Sequence, residues 1–343
     1  MIHLRKYLAA AAAALLLTAG AQAQEGTFDV ALYYPGDLGS NPVEPPITAG
    51  VQMVREAFDD VTVRVIEGGA VADWEAGVIA LAATGQYELI ISFTDGLPQI
   101  LETVAPLFPE QRWALLDASA PGVESVYSLV YSDEALGFLG GAVAVLLAAN
   151  EESSRDVEQP TVGLLAGTPY PAMDEKIRPG YRAGARFVEP AVQVLYAAVG
   201  DWYNPNRARD LALNMFNRGA TAVMSITGGG DSGAHRAAEE SGGYAIAGNT
   251  TQNAERPGGR IASVLKRLDV SIYDVVERAR AGELPYGTVE TVGVEQGAIT
   301  VADDEHHREH VPEALRERIA EIEEAMRSGE IDYLDLVQQE LDE

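Results

Sequence analysis

Lys266 is the residue whose type and surroundings point most directly to chemistry. The sequence has three lysines, at positions 6, 176 and 266, whereas 52 acidic residues give it a formal net charge of -28 at pH 7. Lysine is therefore not the residue that this chain uses to keep its surface soluble. The segment 263–269 has the pattern of the start of an amphipathic helix at the turn of a βα unit. An ammonium there is suited to donate hydrogen bonds to a ligand, and the alternative is an ordinary exposed lysine.

Trp202 is the aromatic residue best placed to contact a ligand. It lies in a loop at 200–205 that contains glycine, asparagine and proline and follows a predicted strand. A core aromatic is not required in such a loop, and a flat indole could stack on a planar ligand. The alternative is a tryptophan that covers the core of its lobe.

Gly228, Gly230 and Gly233 have the Gly-x-Gly-x-x-Gly spacing of dinucleotide-binding loops. That fingerprint also needs an acidic residue about twenty positions later, at the end of the next strand. The corresponding stretch, 248–250, contains no carboxylate. The motif therefore favours close backbone approach to another kind of ligand over a nicotinamide cofactor.

His306, Glu309 and His310 form a His-x-x-Glu-His motif, the pattern of inverted zinc proteases. Such a site needs both histidines on one face of a continuous helix. Pro312 disfavours helical geometry at the residue before it, so we predict a helix at 312–326 that begins after the motif. We interpret the histidines as surface residues and predict no metal site. Because the chain also lacks a Ser-His-Asp spacing or a nucleophile elbow, the sequence favours binding over catalysis, with no catalytic residues.

Short apolar runs and helical periodicity alternate along the chain, and these elements must position the candidate residues. Candidate strands are 28–34, 61–66, 89–93, 113–117, 126–130, 161–166, 192–197, 222–226 and 244–248. Candidate helices are 47–58, 74–84, 97–107, 134–149, 174–187, 205–218, 232–241 and 312–326. This alternation is typical of βαβ units and parallel sheets. So many strands exceed one comfortable sheet, and we therefore predict an α/β fold with two lobes.

The junctions that follow the predicted strands are rich in small polar, acidic and glycine residues. Ligands of open parallel sheets bind beyond the carboxyl ends of the strands, where helix N-termini present free N–H groups. Turn formation and helix capping also select such residues, so a single junction has two explanations. The candidate ligand-binding residues are Asp37, Ser40, Asn41, Thr94, Asp117, Trp202, Gly228, Thr250 and Lys266.

The first residues have the composition of a secretory signal peptide. Arg5 and Lys6 precede an apolar run at 8–17, and a cleavage pattern of small residues ends at Ala23. The run is too short to span a bilayer. We expect a cleavable signal peptide at 1–23 and a soluble periplasmic protein.

Cysteine content and charge exclude several kinds of site and partner. The chain has no cysteine, so disulfides, thiolate metal sites and a lipid-anchoring lipobox cysteine are absent from it. Its acidic excess makes nucleic acid a poor partner, because such binding requires a basic surface.

Several segments, taken together and in order, resemble the basic membrane protein family, which comprises the PnrA-like solute-binding proteins of ABC transporters. The matching stretches are Leu-Asp at 116–117, EALGFLGG at 134–141, Arg-Ala-Gly at 182–184, GDWYNP at 200–205, Gly-Ala at 219–220 with the glycines at 228–230, SVLKRLD at 263–269 and SGEI at 328–331. The resemblance covers essentially the whole chain after residue 24. It is specific in combination, since no single stretch would suffice.

The resemblance implies a type I periplasmic-binding-protein fold, with two Rossmann-like lobes joined by a three-crossing hinge. We expect the first lobe to contain 24–132 and 252–285, and the second to contain 133–251 and 286–343.

The resemblance also implies roles for individual residues. Asp117 would accept hydrogen bonds from sugar hydroxyls, and Lys266 would donate to the ligand. Trp202 stands where the family has a stacking phenylalanine, and Gly228 would line the cleft with its backbone.

Two departures from the family pattern leave the ligand open. The first loop of the family usually reads Asp-x-Ser-Phe-Asn-Gln, whereas the stretch 37–42 here has no aromatic residue, and Tyr33 or Tyr34 is the alternative ring. A family aspartate that binds ribose falls near Thr250, where this chain has neutral residues. Neutral acceptors bind hydroxyls less strongly than carboxylates do.

We therefore predict a periplasmic receptor that binds a small, polar, ring-containing, nucleoside-like ligand and delivers it to the inner-membrane permease of an ABC importer. No cofactor is implied. The alternatives are an exported α/β hydrolase that acts on a nucleoside or sugar, and a ligand-binding partner of a membrane sensor.

Overall fold

A computed structural model of the protein describes residues 27–36, 38–39, 43–93, 96–149, 160–252 and 261–343. Two six-stranded sheets organise this part of the chain. The first sheet contains β1 (Phe28–Tyr34), β2 (Val61–Glu67), β3 (Leu89–Phe93), β4 (Arg112–Leu116), β5 (Val126–Tyr131) and β11 (Val289–Val292). Its order is β11-β5-β4-β3-β1-β2, and all neighbouring strands are parallel.

The second sheet repeats the arrangement of the first. It contains β6 (Thr161–Ala166), β7 (Gln193–Ala198), β8 (Ala222–Ile226), β9 (Tyr244–Asn249), β10 (Ile261–Lys266) and β12 (Ile299–Val301) in the order β12-β10-β9-β8-β6-β7. Only β12 among these strands is antiparallel to its neighbour, β10. The predicted α/β fold with two parallel-sheet lobes is confirmed.

Eleven α-helices of the described residues connect or cover the strands. They are α1 (Glu44–Ala57), α2 (Trp74–Thr84), α3 (Leu97–Val104), α4 (Asp133–Ala148), α5 (Arg178–Val188), α6 (Pro205–Asn217), α7 (Asp231–Ser241), α8 (Leu268–Ala281), α9 (Glu305–His310), α10 (Glu313–Arg327) and α11 (Tyr333–Asp342). One turn of π-helix, Met173–Ile177, leads into α5. None of these helices combines the length and the apolar character that a membrane span requires.

The described chain passes between the two sheets three times. The first passage follows β5, where Ser132 alone separates the strand from α4. The second follows β10, where Arg267 alone separates the strand from α8. The third joins β11 to β12 through residues 293–298. Two of the three connections between the lobes are therefore single residues flanked by regular structure.

The predicted lobe boundaries differ from the observed sheets at two strands. Strand β10 falls within 252–285, which we assigned to the first lobe, but it hydrogen-bonds to β9 in the second sheet. Strand β11 falls within 286–343, assigned to the second lobe, but it pairs with β5 in the first. Strand β11 forms the edge of the first sheet and β10 lies between β9 and β12 in the second, and the local sequence pattern carries no signature of which sheet a strand joins.

Helix α4 forms the centre of the second lobe. Every residue from 135 to 147 is buried, as expected of a helix that is apolar on all sides. Its glycines allow α5 to pack directly on its backbone: a β-carbon on Gly141 would overlap the carbonyl oxygen of Tyr181, and one on Gly184 would overlap that of Phe138. These two helices therefore pack too closely for a larger side chain at either glycine.

Two local predictions are wrong. Lys266 is the last residue of β10, and the helix that we placed around it begins only at Leu268. Residues 305–310, which we predicted to lie before the start of the helix at 312–326, form the short helix α9. Asp304 caps α9 by accepting a hydrogen bond from the amide of His307 (2.8 Å), and Pro312 affects only the break between α9 and α10. A good N-cap thus allows a single helical turn before the proline.

Candidate functional site

Asp117 and Asn249 adopt an unusual backbone conformation at the ends of two strands, one in each lobe. Asp117 follows β4 with φ 57°, and Asn249 ends β9 with φ 76°. They are the only residues other than glycine with positive φ in the part of the chain that the structure describes. This left-handed conformation costs roughly 1–2 kcal/mol, although Asp and Asn tolerate it best. Such local strain is concentrated at functional sites.

Lys266 joins the two lobes through carboxylates. Its Nζ lies 3.0 Å from Asp117 Oδ1 in the first lobe and 3.0 Å from Asp133 Oδ1 at the start of α4. The lysine side chain is only 12% exposed, whereas that of Asp117 is 47% exposed. The ammonium is therefore enclosed, and one of its partners faces solvent.

The charges around Lys266 keep it protonated. Burial of the ammonium acts to lower its pKa, but the carboxylates of Asp117 and Asp133 more than offset this and hold the pKa above its ordinary value. Lys266 is thus a permanent cation and a hydrogen-bond donor, which does not suit the role of a catalytic amine.

A cavity of about 90 Å³ lies between the lobes beside this ion group. Its lining comprises Tyr34, Val43, Pro46, Phe93, Asp117, Tyr131, Asn249, Thr250, Lys266 and Leu268. The cavity combines apolar and aromatic side chains with a few polar groups, which is typical of small-molecule sites. Its volume is far below the roughly 300–1,000 Å³ of drug-sized sites. A ligand larger than a few water molecules therefore requires the lobes to move apart.

One side of the cavity is aromatic and includes one of the two tyrosines at the end of β1. Tyr34 lies beside Phe93, with ring centroids 6.5 Å apart, and both rings line the cavity. Tyr33 points to the opposite face of the sheet, where it is buried in a separate core cluster. Of the two tyrosines considered as substitutes for the missing ring, only Tyr34 is in position.

Tyr131 and Asn249 supply polar groups with fixed positions. Tyr131 donates a hydrogen bond to Ser271 Oγ (2.9 Å), and its ring lies 5.6 Å from Lys266 Nζ. Burial raises the pKa of the Tyr131 phenol, which therefore stays neutral at physiological pH. Asn249 Oδ1 is shielded from solvent and has no hydrogen-bond partner among the residues described. A buried acceptor of this kind is available to a ligand hydroxyl or amine.

A larger, more polar groove of about 500 Å³ adjoins the cavity at Asp117 and Tyr131. Residues of both lobes line it, including Gln99 and Ser119 of the first lobe and Lys176 of the second. Asp117 and Tyr131 line both the aromatic cavity and this open groove, whereas Asp133 lines the groove alone.

Trp202 and Gly228 form a separate group in the second lobe. The indole covers Gly167, where a β-carbon would overlap its ring, and it tilts against Tyr170 at a centroid distance of 5.7 Å. Gly228 lies beneath it with φ 59°. Neither residue lines the cavity beside Lys266 in this conformation. The structure thus brings together Asp117, Thr250 and Lys266, but not Trp202 and Gly228.

Asp231 holds the loop that carries Thr250. Its buried carboxylate accepts hydrogen bonds from the Thr227 amide (2.9 Å) and hydroxyl (2.7 Å) and from Gln252 Nε2 (3.0 Å). Burial raises the pKa of Asp231 above its ordinary value. Asp231 is therefore a positioning residue that connects the glycine-rich turn to the cavity loop. Its place directly after three glycines was the available signal.

Four predicted ligand-binding residues, Asp37, Ser40, Asn41 and Thr94, lie outside the described residues. Sequence reasoning named Tyr34 only as an alternative ring and Asn249 only as part of a junction after a strand, and it missed Phe93, Tyr131 and Asp133 entirely. All five of these residues end a strand or begin a helix, which is the signal that could have found them. Asp133 also follows Ser132, whose Oγ caps α4 by accepting from the Ala135 amide (3.1 Å).

Comparison with known proteins agrees with this architecture. The chain is 21% identical over 282 residues to the CD4+ T-cell-stimulating antigen of Listeria monocytogenes, an alignment that covers 78% of this chain and 75% of that protein. It is 19% identical over 267 residues to the ABC transporter nucleoside-binding protein BmpA of Lactococcus lactis, which covers 73% of this chain and 70% of BmpA.

The fold matches that of a solved ABC transporter solute-binding protein from Aeropyrum pernix K1. The TM-score is 0.74 at 20% identity, and the match covers 92% of this chain and 98% of the other. The model of the Bmp family, described as ABC transporter substrate-binding protein PnrA-like, matches residues 28–332. The chain therefore belongs to the PnrA-like family of ABC transporter substrate-binding proteins.

Proposed function

We propose that this protein is an exported receptor that binds a small, polar, ring-containing, nucleoside-like ligand in the cleft between its lobes and delivers it to an ABC permease. The observation that carries the proposal is the position of Lys266, which links carboxylates of both lobes at the edge of an aromatic cavity. The ligand class is also supported by the relative from Lactococcus lactis that is named a nucleoside-binding protein.

The two sides of the cavity suit two parts of such a ligand. Tyr34 and Phe93 present ring faces and edges to a planar heterocycle, for which stacking on aromatic side chains contributes roughly 1–3 kcal/mol per base. Asp117, Asn249 and Thr250 present oxygen acceptors that suit hydroxyls, and Lys266 donates. Asp117 is the only lining carboxylate among the described residues, so it is the charged acceptor for a sugar-like group.

The lobes open and close around the ion group. When the Lys266–Asp117 pair separates, the aromatic cavity and the polar groove become continuous, and the ligand enters. Ligand hydroxyls then replace part of the ion pair, and contacts to both lobes shift the equilibrium towards the closed state. The single-residue connections at Ser132 and Arg267 provide the bending points.

Calorimetric titration of the purified protein with a panel of nucleosides, free bases and sugars tests the ligand class. We expect saturable binding of at least one nucleoside and a weaker interaction with the matching base or sugar alone. Mass spectrometry of small molecules that remain bound through native purification supplies an independent identification. Failure of every nucleoside to bind, together with a different co-purified compound, would overturn the nucleoside proposal.

Turnover of the bound compound would instead support the hydrolase alternative. The sensor alternative predicts the same ligand but a different membrane partner. The liganded protein can be immobilised and incubated with detergent-solubilised membranes to distinguish the transport role from the sensor role. The transport role requires that an ABC permease is recovered on it.

A further inference from the structure

Helix α9 carries a group of metal-ligating side chains that contributes nothing to the cleft cavity. His306 and His310 lie one turn apart, with ring centroids 4.6 Å apart and planes at 70°. Glu309 lies on the same side of the helix, and one ligand atom from each of the three residues falls within 4.8 Å of the other two. No other described residues form such a group of three or more.

The two imidazoles lack partners for their inner nitrogens. Nε2 of His306 and Nε2 of His310 are both shielded from solvent, and neither has a hydrogen-bond partner in the part of the chain that the structure describes. A buried polar atom without a partner is costly and calls for an explanation such as an ion. Because these two nitrogens lie one turn apart on the same face of the helix, a single bound ion can be the partner of both.

We propose that His306, Glu309 and His310 bind one divalent transition-metal ion of the Zn²⁺ type, with water completing its coordination. Zinc takes imidazole nitrogen at about 2.0–2.1 Å and carboxylate oxygen at about 2.0–2.2 Å, so ligand atoms on one ion lie within about 4.4 Å of each other. The observed separations need only small side-chain rotations to reach this geometry. Imidazole ligands favour Zn²⁺ over the oxygen-seeking Ca²⁺ and Mg²⁺.

The charges around α9 also favour a cation. Asp303, Asp304 and Glu305 precede the motif directly. The one basic residue inside it, Arg308, is held by Asp303 through hydrogen bonds of 2.9 and 2.8 Å. The positive charge closest in sequence is therefore already compensated, and the remaining acidic residues attract the metal.

The metal would stabilise helix α9, which is a short α-helix. Six residues are far fewer than an isolated helix needs. Asp304, the N-cap of α9, also accepts a hydrogen bond from Thr251 (3.1 Å), the neighbour of Thr250 in the cavity. Asp304 therefore joins the helix of the metal site to the loop that lines the cleft, although none of the three proposed metal ligands lines the cavity.

Equilibrium dialysis of the full chain, purified with a tag that contains no histidine and stripped with EDTA, tests the proposal with Zn²⁺ alone. We expect one tightly bound Zn²⁺ per chain. His306→Gln and His310→Gln should each weaken binding at least tenfold. Co²⁺ in place of Zn²⁺ should give the visible absorption of a four-coordinate nitrogen and oxygen site, and this spectrum should disappear in both variants.

Glu309→Gln and Glu305→Gln form a matched pair, because both residues are exposed glutamates on α9 and both changes remove one negative charge. Only Glu309→Gln should weaken Zn²⁺ binding. Equal effects of the two variants would show general attraction to acidic residues, and retained one-to-one binding in the histidine variants would place the ion elsewhere. Either result overturns the proposal, as does the absence of stoichiometric binding. Melting in EDTA shows whether each variant is folded.

Discussion

Lys266 Nζ lies 3.0 Å from Asp117 Oδ1, although the two residues belong to different lobes and are 149 positions apart in sequence. Asp133 shares the same ammonium from the start of α4. The strand ends of both lobes and the first connection between them therefore meet at one charge. The first two of the predictions that follow concern this charge.

Lys266→Met should destabilise the protein by about 1–3 kcal/mol, because it leaves two carboxylates close together without their cation. Removal of one partner from a fully buried pair costs more, but Asp117 is half exposed and solvent screens part of the effect. Urea unfolding measures the change. Lys176→Met is the matched control: Lys176 is 46% exposed and pairs with Glu134 at 3.4 Å, so its loss should cost less than about 1 kcal/mol. Equal losses in the two variants would contradict the proposed importance of Lys266.

Asp117→Asn should weaken ligand binding about tenfold, or by about 1.4 kcal/mol, while the fold keeps nearly its full stability. Asparagine tolerates the positive φ of this position, so the change removes charge without added backbone strain. Asp117→Ala should bind as weakly as Asp117→Asn and should unfold more easily by about 1–2 kcal/mol. Calorimetry and urea unfolding of both variants separate the two effects. A stable Asp117→Ala variant would show that the backbone relaxes there.

Trp202→Ala should weaken binding of a nucleoside-like ligand by about 1–3 kcal/mol if the indole moves onto the ligand when the lobes close. Trp202→Phe is the control, because it keeps a ring that can stack and should retain most of the affinity. Titration calorimetry gives both values. Unchanged affinity in the alanine variant would mean that Trp202 only covers Gly167 and the core of the second lobe.

Asp231→Asn should stabilise the protein relative to wild type increasingly as pH rises from about 4 to 7. Burial raises the pKa of Asp231, so the folded state holds this proton more tightly than the unfolded state. Its favourable contribution is complete below the unfolded pKa and is lost as pH rises through the folded pKa. Urea unfolding of both proteins at pH 4, 5.5 and 7 measures the difference. A difference that falls with pH would show that the hydrogen bonds from Thr227 and Gln252 outweigh desolvation.

Gly141→Ala should destabilise the second lobe by about 1–3 kcal/mol through overpacking against the backbone of α5. The sign is diagnostic, because alanine in place of glycine inside a helix otherwise stabilises it by about 0.5–1 kcal/mol. Thermal or urea unfolding measures the change. A more stable variant would mean that α4 and α5 separate at little cost.

The strands of the sheet interiors were predictable because helices cover both of their faces. Such strands form continuous apolar runs, and the runs at 28–34, 89–93, 161–166 and 222–226 match observed strands at both ends. The edge strands β11 and β12 lack this signature. Strand β11 is largely exposed and β12 has three residues, so neither was predicted. Strand β10 was missed because Arg267 alone separates it from α8, and the two elements gave one continuous periodic pattern.

The candidate site was only partly predictable. The rarity of lysine identified Lys266, and family resemblance identified Asp117. Asp133 carried no signal, because acidic residues are common in the first turn of any helix. The positive φ of Asp117 and Asn249 had none either, since both residue types tolerate that conformation but usually do not adopt it.

The single-residue connections at Ser132 and Arg267 have a mechanical consequence. Tyr131 and Asp133 flank one pivot, and Lys266 and Leu268 flank the other. Rotation moves atoms in proportion to their distance from the axis, so these four residues travel least when one lobe turns on the other. Under the proposed opening, the three of these residues that line the cavity, Tyr131, Lys266 and Leu268, therefore keep nearly the same positions, and the largest displacements occur at the rim. Discrimination between ligands that all fit these residues then depends on residues of each lobe that lie far from the two pivots.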